Sequence, residues 1–547
     1  MAAIYFPQFR RGRQGLPLRK GETILDHARR AGVEIYSECG GKGECGRCVV
    51  RVERGTEALS PPTDAERKFG LGEDLRLACQ AVVVGEGDIY VYISEFGKYS
   101  ILTETRRREV PLEPLVRREG DRVLYDGRPI DSYRGGIYGL AVDVGTTTLV
   151  LEIVDLETGE TVGTAARKNP QVSYGNDVIS RIEYTMVDKY GLRYLGPEER
   201  MERVKELQRA VVGAVNEEVR KIEGKISHLI YEVVAVGNST MRNLFFGIDV
   251  SSLGLIPYEP LRKEPFTVPA RELGLELNPN AVAYAPPLIG GHAGADALAD
   301  VLMVDMHKSE DVVMVIDIGT NGEVAIGNRK KILTASCAAG GAYEGATVRC
   351  GLGAVEGAIS NIRIEDGRAV FSTIGDKPPK GICGSGLIDL LAELLRNGIM
   401  DERAKIKAPF EVTDGIKLYQ EDIYQLITAK AGLKTDQELL MKYYGVGLEE
   451  VKRVYLSGAF GNYIDVRNAV EIGLLPPVPE KIVKIGNGAL EGAREMLISR
   501  TRRREAEGLL DLITHTKPNE LEEEFAYLVA ENMYFGRRRR DVCPGRP

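Results

Sequence analysis

The sequence predicts an α/β chain in which a small N-terminal unit of strands and helices precedes a much larger two-lobed region. Four cysteines crowd between Cys39 and Cys79, around a glycine-rich loop, and an apolar strand ending in Asp-x-Gly-Thr occurs twice, at Asp143 and at Asp317. Long amphipathic stretches separate and follow those two copies, so strands alternate with helices. At 547 residues the chain exceeds one compact core and suggests two to four units.

Composition narrows the class. Apolar and charged fractions of 43% and 28% are those of a soluble globular protein, and a net charge of -8 gives no overall attraction to nucleic acid. The basic start MAAIYFPQFRRGRQGLPLRK has no apolar core segment, and no later stretch is apolar for long enough to span a membrane, so neither a membrane nor a nucleic acid is an expected partner and the expected location is cytoplasmic.

The first unit, 1–97, reads as strand, helix, glycine-rich loop, strand, helix, strand. Ile4 and Phe6 open it, ETILDHARRAG has helical spacing, VVRVERG follows the loop, and AVVVGEGDIYVYI closes it. The stretch 98–136 has weak periodicity, prolines and an Arg run, which suits a linker or a small middle segment. As a flexible chain it would span roughly 35 Å and let the first domain move. On that reading, removing about twenty residues from it should leave the units on either side folded and active while slowing any step that needs both. The region 137–536 then carries the duplicated motif, YGLAVDVGTTTLVLEIVDLETG and VVMVIDIGTNGEVAIGNRKK, as two pseudo-equivalent lobes. PEERMERVKELQRAVVGAVNEEVRKIEG opens on Pro197 and acidic residues as a helix should. The tail 537–547 begins with Arg537 to Arg540 and reads as solvated.

Cys39, Cys45 and Cys48 in CGGKGECGRC and Cys79 in RLACQ give the spacing C-x5-C-x2-C-x30-C. Three thiolates on one loop and a distant fourth is the arrangement that holds a [2Fe-2S] cluster, one residue longer in the first gap than the plant-type pattern. The loop glycines let the backbone wrap tightly and aim N–H groups at an anionic cluster. Structural zinc prefers two paired C-x2-C knuckles, and only Cys45 and Cys48 form one. The formal G-x-G-x-x-G at Gly41, Gly43 and Gly46 precedes a strand, whereas a dinucleotide fingerprint opens a helix. Cys337, Cys350, Cys383 and Cys543 are scattered and receive no role.

No P-loop motif exists, so any phosphate site must be built otherwise. Asp143, Gly145, Thr146, Thr147 and Thr148 form a glycine turn between strands that offers N–H groups and hydroxyls to phosphate and an acid to Mg²⁺. Asp317, Gly319, Thr320, Asn321, Gly322 and Glu323 repeat that chemistry with a second carboxylate. One such turn is an ordinary hairpin; two in the same strand context point to a function. A third element, VKRVYLSGAFGNYIDV, runs from strand into Gly458, Ala459, Phe460, Gly461 and Asn462, a turn suited to an adenosine. Gly340 and Gly341, with GICGSG at Gly381 to Gly386, are expected to line the same cleft.

The N-terminal unit resembles adrenodoxin-like and plant-like ferredoxins of β-grasp fold. The three later motifs, in order, resemble the acetate and sugar kinase, heat-shock chaperone and actin superfamily, whose domain is a duplicated ribonuclease H-like fold. By that resemblance Asp143 and Asp317 are Mg²⁺- or water-positioning acids and Gly458 to Gly461 contact the nucleoside. The combination, with AVGNSTMRNLFFGI, GGAYEGATVRCGLGAVEGAI and GICGSGLID, resembles the reductive activators of corrinoid-dependent enzymes over nearly the whole chain. Such a protein uses ATP and a [2Fe-2S] cluster to return a cobalt(II) corrinoid to cobalt(I). Its partners would be a corrinoid protein or corrinoid-dependent methyltransferase and an external low-potential electron donor. A homodimer is admitted, since the sequence does not fix the oligomeric state. Family members can carry a further small domain after the ferredoxin, and the stretch here reads as short for one.

Two other classes fit part of the pattern. A metabolite kinase or chaperone-type ATPase with an accessory ferredoxin domain would phosphorylate a small molecule or bind clients. A nucleotide-regulated electron-transfer protein would reduce its acceptor equally well without ATP.

Overall fold

The computed structural model describes the whole chain except residues 1, 8–13, 34, 36, 38–40, 44–47, 70, 72–73, 94–106, 189–190, 224–225, 340, 346, 459–462 and 536–547. In the N-terminal domain a hairpin, Ala3–Tyr5 with Leu16–Pro17, joins the strands Ile89–Ile93, Val49–Arg54 and Leu75–Leu77 in one five-stranded sheet. The first strand runs parallel to the last, Ile4 opposite Ile89, and the others pair antiparallel, as in a β-grasp. Helix Ile24–Ala31 starts on a Thr23 and Asp26 capping box and stops at Gly32. Its buried face (Ile24, Leu25, Ala28) packs with Ile4, Phe6, Val50, Val52 and Val91 into a small core.

A buried ion pair fixes the fourth-cysteine strand. Glu66, on the short helix Asp64–Lys68, accepts from Arg76 Nε at 2.8 Å and from Leu77 N at 3.0 Å. Burial alone would push the Glu66 carboxyl up, but the Arg76 fork and the backbone N–H groups of Thr63 and Leu77 outweigh it and hold it below the usual range. Glu66→Ala would strand a buried guanidinium beside Cys79. It is expected to destabilise this domain by about 3 kcal/mol or more, read as cluster bleaching at lower temperature.

The stretch 98–136 is divided. Residues 98–106 lie outside the described part, but 107–136 are packed and the flexible reading does not extend to them. Val116–Glu119, Arg122–Tyr125 and Arg128–Ser132 form a three-stranded meander. Fully buried Val116 and Val123 insert into the core around helix Gly488–Ile498. Arg107 reaches Glu152 at 2.8 Å and Glu491 at 3.1 Å, and Glu113 pairs with the backbone of Ile498 and Arg500. A small unit therefore does follow the ferredoxin domain. Deleting about twenty residues across the meander is expected to lower the melting temperature and damage every activity of the large region together, because the exposed core belongs to that region.

Two six-stranded sheets build the rest, and they share a plan. In the first, Tyr138–Val144, Thr148–Asp155 and Thr161–Lys168 form an antiparallel meander; Ile230–Val236 and Val282–Ala285 continue parallel beside the first strand, with Phe266–Pro269 at the edge. In the second, Val313–Ile318, Asn321–Asn328 and Lys331–Ala338 form the meander and Arg453–Ser457 and Ile482–Gly486 the parallel pair, while the sixth strand, Ile513–His515, lies at the opposite edge, beside the third meander strand. The repeated motif is thus a repeated lobe. Between the lobes helices Ala295–Met303 and Gly488–Ile498 cross so closely that a Cβ on Gly492 would meet Ala299 O at 2.5 Å. The second lobe carries an insertion with a three-stranded sheet and helix Gly384–Arg396. The helix expected from Pro197 spans Pro197–Glu223. No helix among the described residues is long and apolar enough to cross a membrane.

Candidate functional site

The first strand of each lobe ends in its acid, and the two turns face each other across the cleft. Asp143 and Asp317 both line a cavity of about 680 Å³, with Gly145 to Thr148 on one side and Gly319, Thr320, Asn321 and Glu323 on the other. Thr147 Oγ1 lies 2.8 Å from Thr320 Oγ1 and donates to Glu344 Oε2 at 2.8 Å, and Thr320 also donates to Glu344. Gly341 adopts φ +65° at the start of the turn Ala342–Glu344 that presents this carboxylate. Gly340 lies outside the described residues.

Gly322 turns away from the cavity: an added Cβ would meet Leu433 Cδ1 at 2.8 Å, so this glycine lets helix Gln420–Tyr444 pack on the strand. Gly458, at φ +94°, would bring a Cβ within 2.5 Å of Asp317 Oδ1; only glycine lets the third motif pass beside the acid. Ala459, Phe460, Gly461 and Asn462 lie outside the described residues. GICGSG divides: Gly384 and Ser385 line a second cavity of about 670 Å³ with Tyr343, Leu352, Ile374 and Tyr463, which shares Thr147, Thr148 and Glu344 with the first.

Several polar residues joined the site that motif reasoning had not assigned. Asn487 caps helix Gly488–Ile498 and donates to Asp143 Oδ2 at 2.8 Å; Asn238 caps helix Ser239–Phe245 and donates to Thr146 Oγ1 at 2.9 Å. Each follows a glycine at the end of an apolar strand, a Gly-Asn repeat that the sequence displays at Gly237-Asn238 and Gly486-Asn487. Asp296 and Asp300, one turn apart on helix Ala295–Met303, bring further carboxylates.

The electrostatics are one-sided. Asp143, Asp296, Asp317, Glu323 and Glu344 line the cavity, and no Lys or Arg does among the described residues. Burial pushes Asp143 up to about 7, with the charge of Asp317 adding to it against the Asn487 amide. Asp317 is pushed up to about 6 by burial, moderated by its hydrogen bond with Asp300. Asp300 sits well above the usual carboxylate range, from burial and the charge of Asp317. Asp296, Glu323 and Glu344 are raised as well, each mainly by burial. Acids crowded in this way fit a divalent cation carried in with a phosphate chain, which would restore their ionised form.

The sign of the pH effect follows. With folded pKa values above unfolded ones, the folded state holds more protons between about pH 4 and the folded values, so stability falls as pH rises through that window. In cation-free protein the melting temperature is expected to drop from pH 5 toward pH 8, and Mg²⁺ with ATP is expected to flatten the slope; scanning fluorimetry reads both.

In the N-terminal domain Cys48 and Cys79 are buried with their Sγ atoms 3.3 Å apart. That exceeds the disulfide bond length of about 2.05 Å and suits two thiolates on one iron. Gln80 Nε2 lies 3.6 Å from Cys79 Sγ and donates to Gly41 O at 3.2 Å, tying the fourth cysteine to the loop. Cys39 and Cys45 lie outside the described residues.

Comparison with known proteins accords with this geometry. Residues 11–84 match the model of the 2Fe-2S iron-sulfur cluster binding domain, 138–309 that of the RACo middle region, and 311–544 that of the C-terminal domain of RACo, the ASKHA domain. The chain is similar to the corrinoid activation enzyme RamQ of Eubacterium limosum, 29% identical over 87% of this chain and 90% of that one. It is also similar to the [Co(II) methylated amine-specific corrinoid protein] reductase of Methanosarcina barkeri, 26% identical over 67% of this chain and 71% of the relative. A solved reductive activator for corrinoid,iron-sulfur protein superposes with TM-score 0.70 at 27% identity, covering 98% of both chains.

Proposed function

On the premise that this chain belongs to the family of reductive activators of corrinoid-dependent enzymes, we propose how its parts divide the work. It is an ATP-hydrolysing iron–sulfur reductase that returns a cobalt(II) corrinoid on its partner corrinoid protein to cobalt(I). The observation that carries this reading is the joining, in one chain, of a buried thiol pair and an acid-lined cleft between two facing phosphate turns.

The [2Fe-2S] cluster, when bound through Cys39, Cys45, Cys48 and Cys79, supplies one electron at a time. The buried sulfurs of Cys48 and Cys79 keep water from that side, and Gln80 offers an N–H toward a ligating sulfur. In the cleft the Gly145–Thr148 and Gly319–Asn321 turns would grip the phosphates, with Asp143 and Asp317 facing Mg²⁺ or its water. Asn487 orients the Asp143 carboxylate through its side-chain amide. The apolar second cavity, walled by Leu352, Ile374 and Tyr463 beside Gly384 and Ser385, suits the nucleoside, while Gly458 lines the phosphate cavity next to it. An external low-potential donor would reload the cluster. The partner corrinoid sits either on a methyltransferase or on its separate corrinoid protein.

ATP supplies bias. An uphill one-electron gap of roughly 200 mV is about 4.6 kcal/mol. A nucleotide-dependent affinity difference of about 10⁴ between two states covers it. Reduced protein mixed with a cobalt(II) corrinoid protein should show cobalt(I) absorbance with Mg-ATP and little without. Equal yield without ATP would make the chain a plain electron-transfer protein.

A further inference from the structure

We infer that the segment 169–186 is the mechanical link between nucleotide and cluster, with Arg181 as its positioning residue. The inference rests on reading the Gly145–Thr148 turn as the phosphate grip, and adds to it the route by which that grip reaches the ferredoxin domain.

One face of the segment holds the carbonyl side of the turn. Asn169 Nδ2 donates to Gly145 O at 2.8 Å, the backbone N of Asn169 donates to Thr147 O at 2.8 Å, and Arg181 donates to Thr146 O. Three successive carbonyls of the turn are therefore read by two residues. If the turn's N–H groups rotate onto a phosphate, the carbonyls of the same peptide planes must rotate with them.

The other face holds the cluster loop and the chain that leads into it. Ser173 Oγ donates to Ile35 O at 3.2 Å, and Ser173 O accepts from Arg29, whose guanidinium also lies 4.8 Å from the Tyr174 ring centre. Glu183, on the helix Val178–Met186 that carries Arg181, pairs with Lys42 at 3.2 Å. Ile35 precedes Cys39, and Lys42 lies between Cys39 and Cys45.

Arg181 joins the faces. It is fully buried, and its other acceptors are Gly175 O at 2.8 Å, Gln171 Oε1 at 3.3 Å and Met241 Sδ at 2.8 Å. A buried cation whose hydrogen bonds all go to neutral acceptors cannot let one go without cost, so a displaced Thr146 carbonyl takes the guanidinium with it. The turn containing Gln171, Ser173 and Gly175 then shifts against the ferredoxin domain. If only packing were at stake, a buried charge would be a poor choice of filler.

The test is hydrogen exchange by mass spectrometry on the full-length, cluster-loaded protein, with and without Mg²⁺ and a non-hydrolysable ATP analogue. In the native sequence the analogue should slow exchange at 143–149 and change exchange at 24–37 by about threefold or more. Arg181→Lys, which keeps the charge but loses the fork, should retain the effect at 143–149 and lose most of that at 24–37. Should that variant fold poorly, Glu183→Lys serves instead: it should weaken the response at 24–37, and adding Lys42→Glu should restore it. A response at 24–37 that survives Arg181→Lys, or survives Glu183→Lys unchanged, overturns the link while leaving the nucleotide site standing. No response at 143–149 in the native protein would remove the phosphate reading, and the link with it.

Discussion

Asp317→Ala and Asp143→Ala are each expected to cut ATP turnover by about a hundredfold or more while the cluster spectrum persists. Removing one preorganised charge-positioning group typically costs about 10²–10³ in rate. Each acid stands where the first strand of its lobe ends at the shared cavity. The two roles of such a residue, holding the fold and doing chemistry, predict opposite signs in stability. Asp143 is buried and raised to about 7, so the ATP-free protein bears a desolvation cost there. Asp143→Asn should therefore melt no lower than the native protein, and higher above pH 7, even as turnover collapses. A variant that lost activity by unfolding would melt lower. Steady-state phosphate release, paired with melting curves at pH 6 and pH 8, separates the two. Turnover within a few fold of native in both Ala variants would reduce the two turns to ordinary hairpins.

How much of this was legible depends on where each residue's signal lies. Asp143 and Asp317 could be read because an apolar strand, an acid and a glycine turn are contiguous, and the same string recurs. Asp296 and Asp300 could not: an i, i+4 acid pair on a helix usually faces solvent, and only the closeness of the crossing at Gly492 and Ala299 turns theirs inward. Glu344 sat in a segment singled out for its glycines, yet nothing local says that one carboxylate there spans both phosphate turns. The meander at 116–132 was passed over because its strands are short and rich in Arg and Glu, with few apolar positions to set a period of two. The signal present was Asp126-Gly127, both at positive φ, a hairpin turn between Arg122–Tyr125 and Arg128–Ser132. The docking of Ile35 and Lys42 onto 173–183 had no signal at all, since it uses a serine, a backbone carbonyl and one half-exposed ion pair.

The second large effect concerns the cluster. Cys79→Ala is expected to leave less than about a tenth of the iron and sulfide of the native protein and to abolish cobalt(II) reduction, while ATP turnover stays within about twofold. Thiolate ligation is the whole attachment of such a cluster, and Cys79 lies 3.3 Å from Cys48 in a buried position where no water-borne ligand replaces it readily. Cys48→Ala should behave alike, because the two sulfurs are placed to serve the same iron. The isolation of the effect follows from geometry: the cysteines belong to a separate sheet and core from the lobes that carry the acids. Cys383→Ala is the control. That thiol lies in the apolar cavity of the second lobe, and its loss should leave iron content untouched. Iron and sulfide analysis alongside the visible spectrum checks all three variants. Full iron retention in Cys79→Ala would sink the four-cysteine assignment, and a matching collapse of ATP turnover would mean that the cluster domain holds the ATPase lobes together, in place of feeding electrons past them.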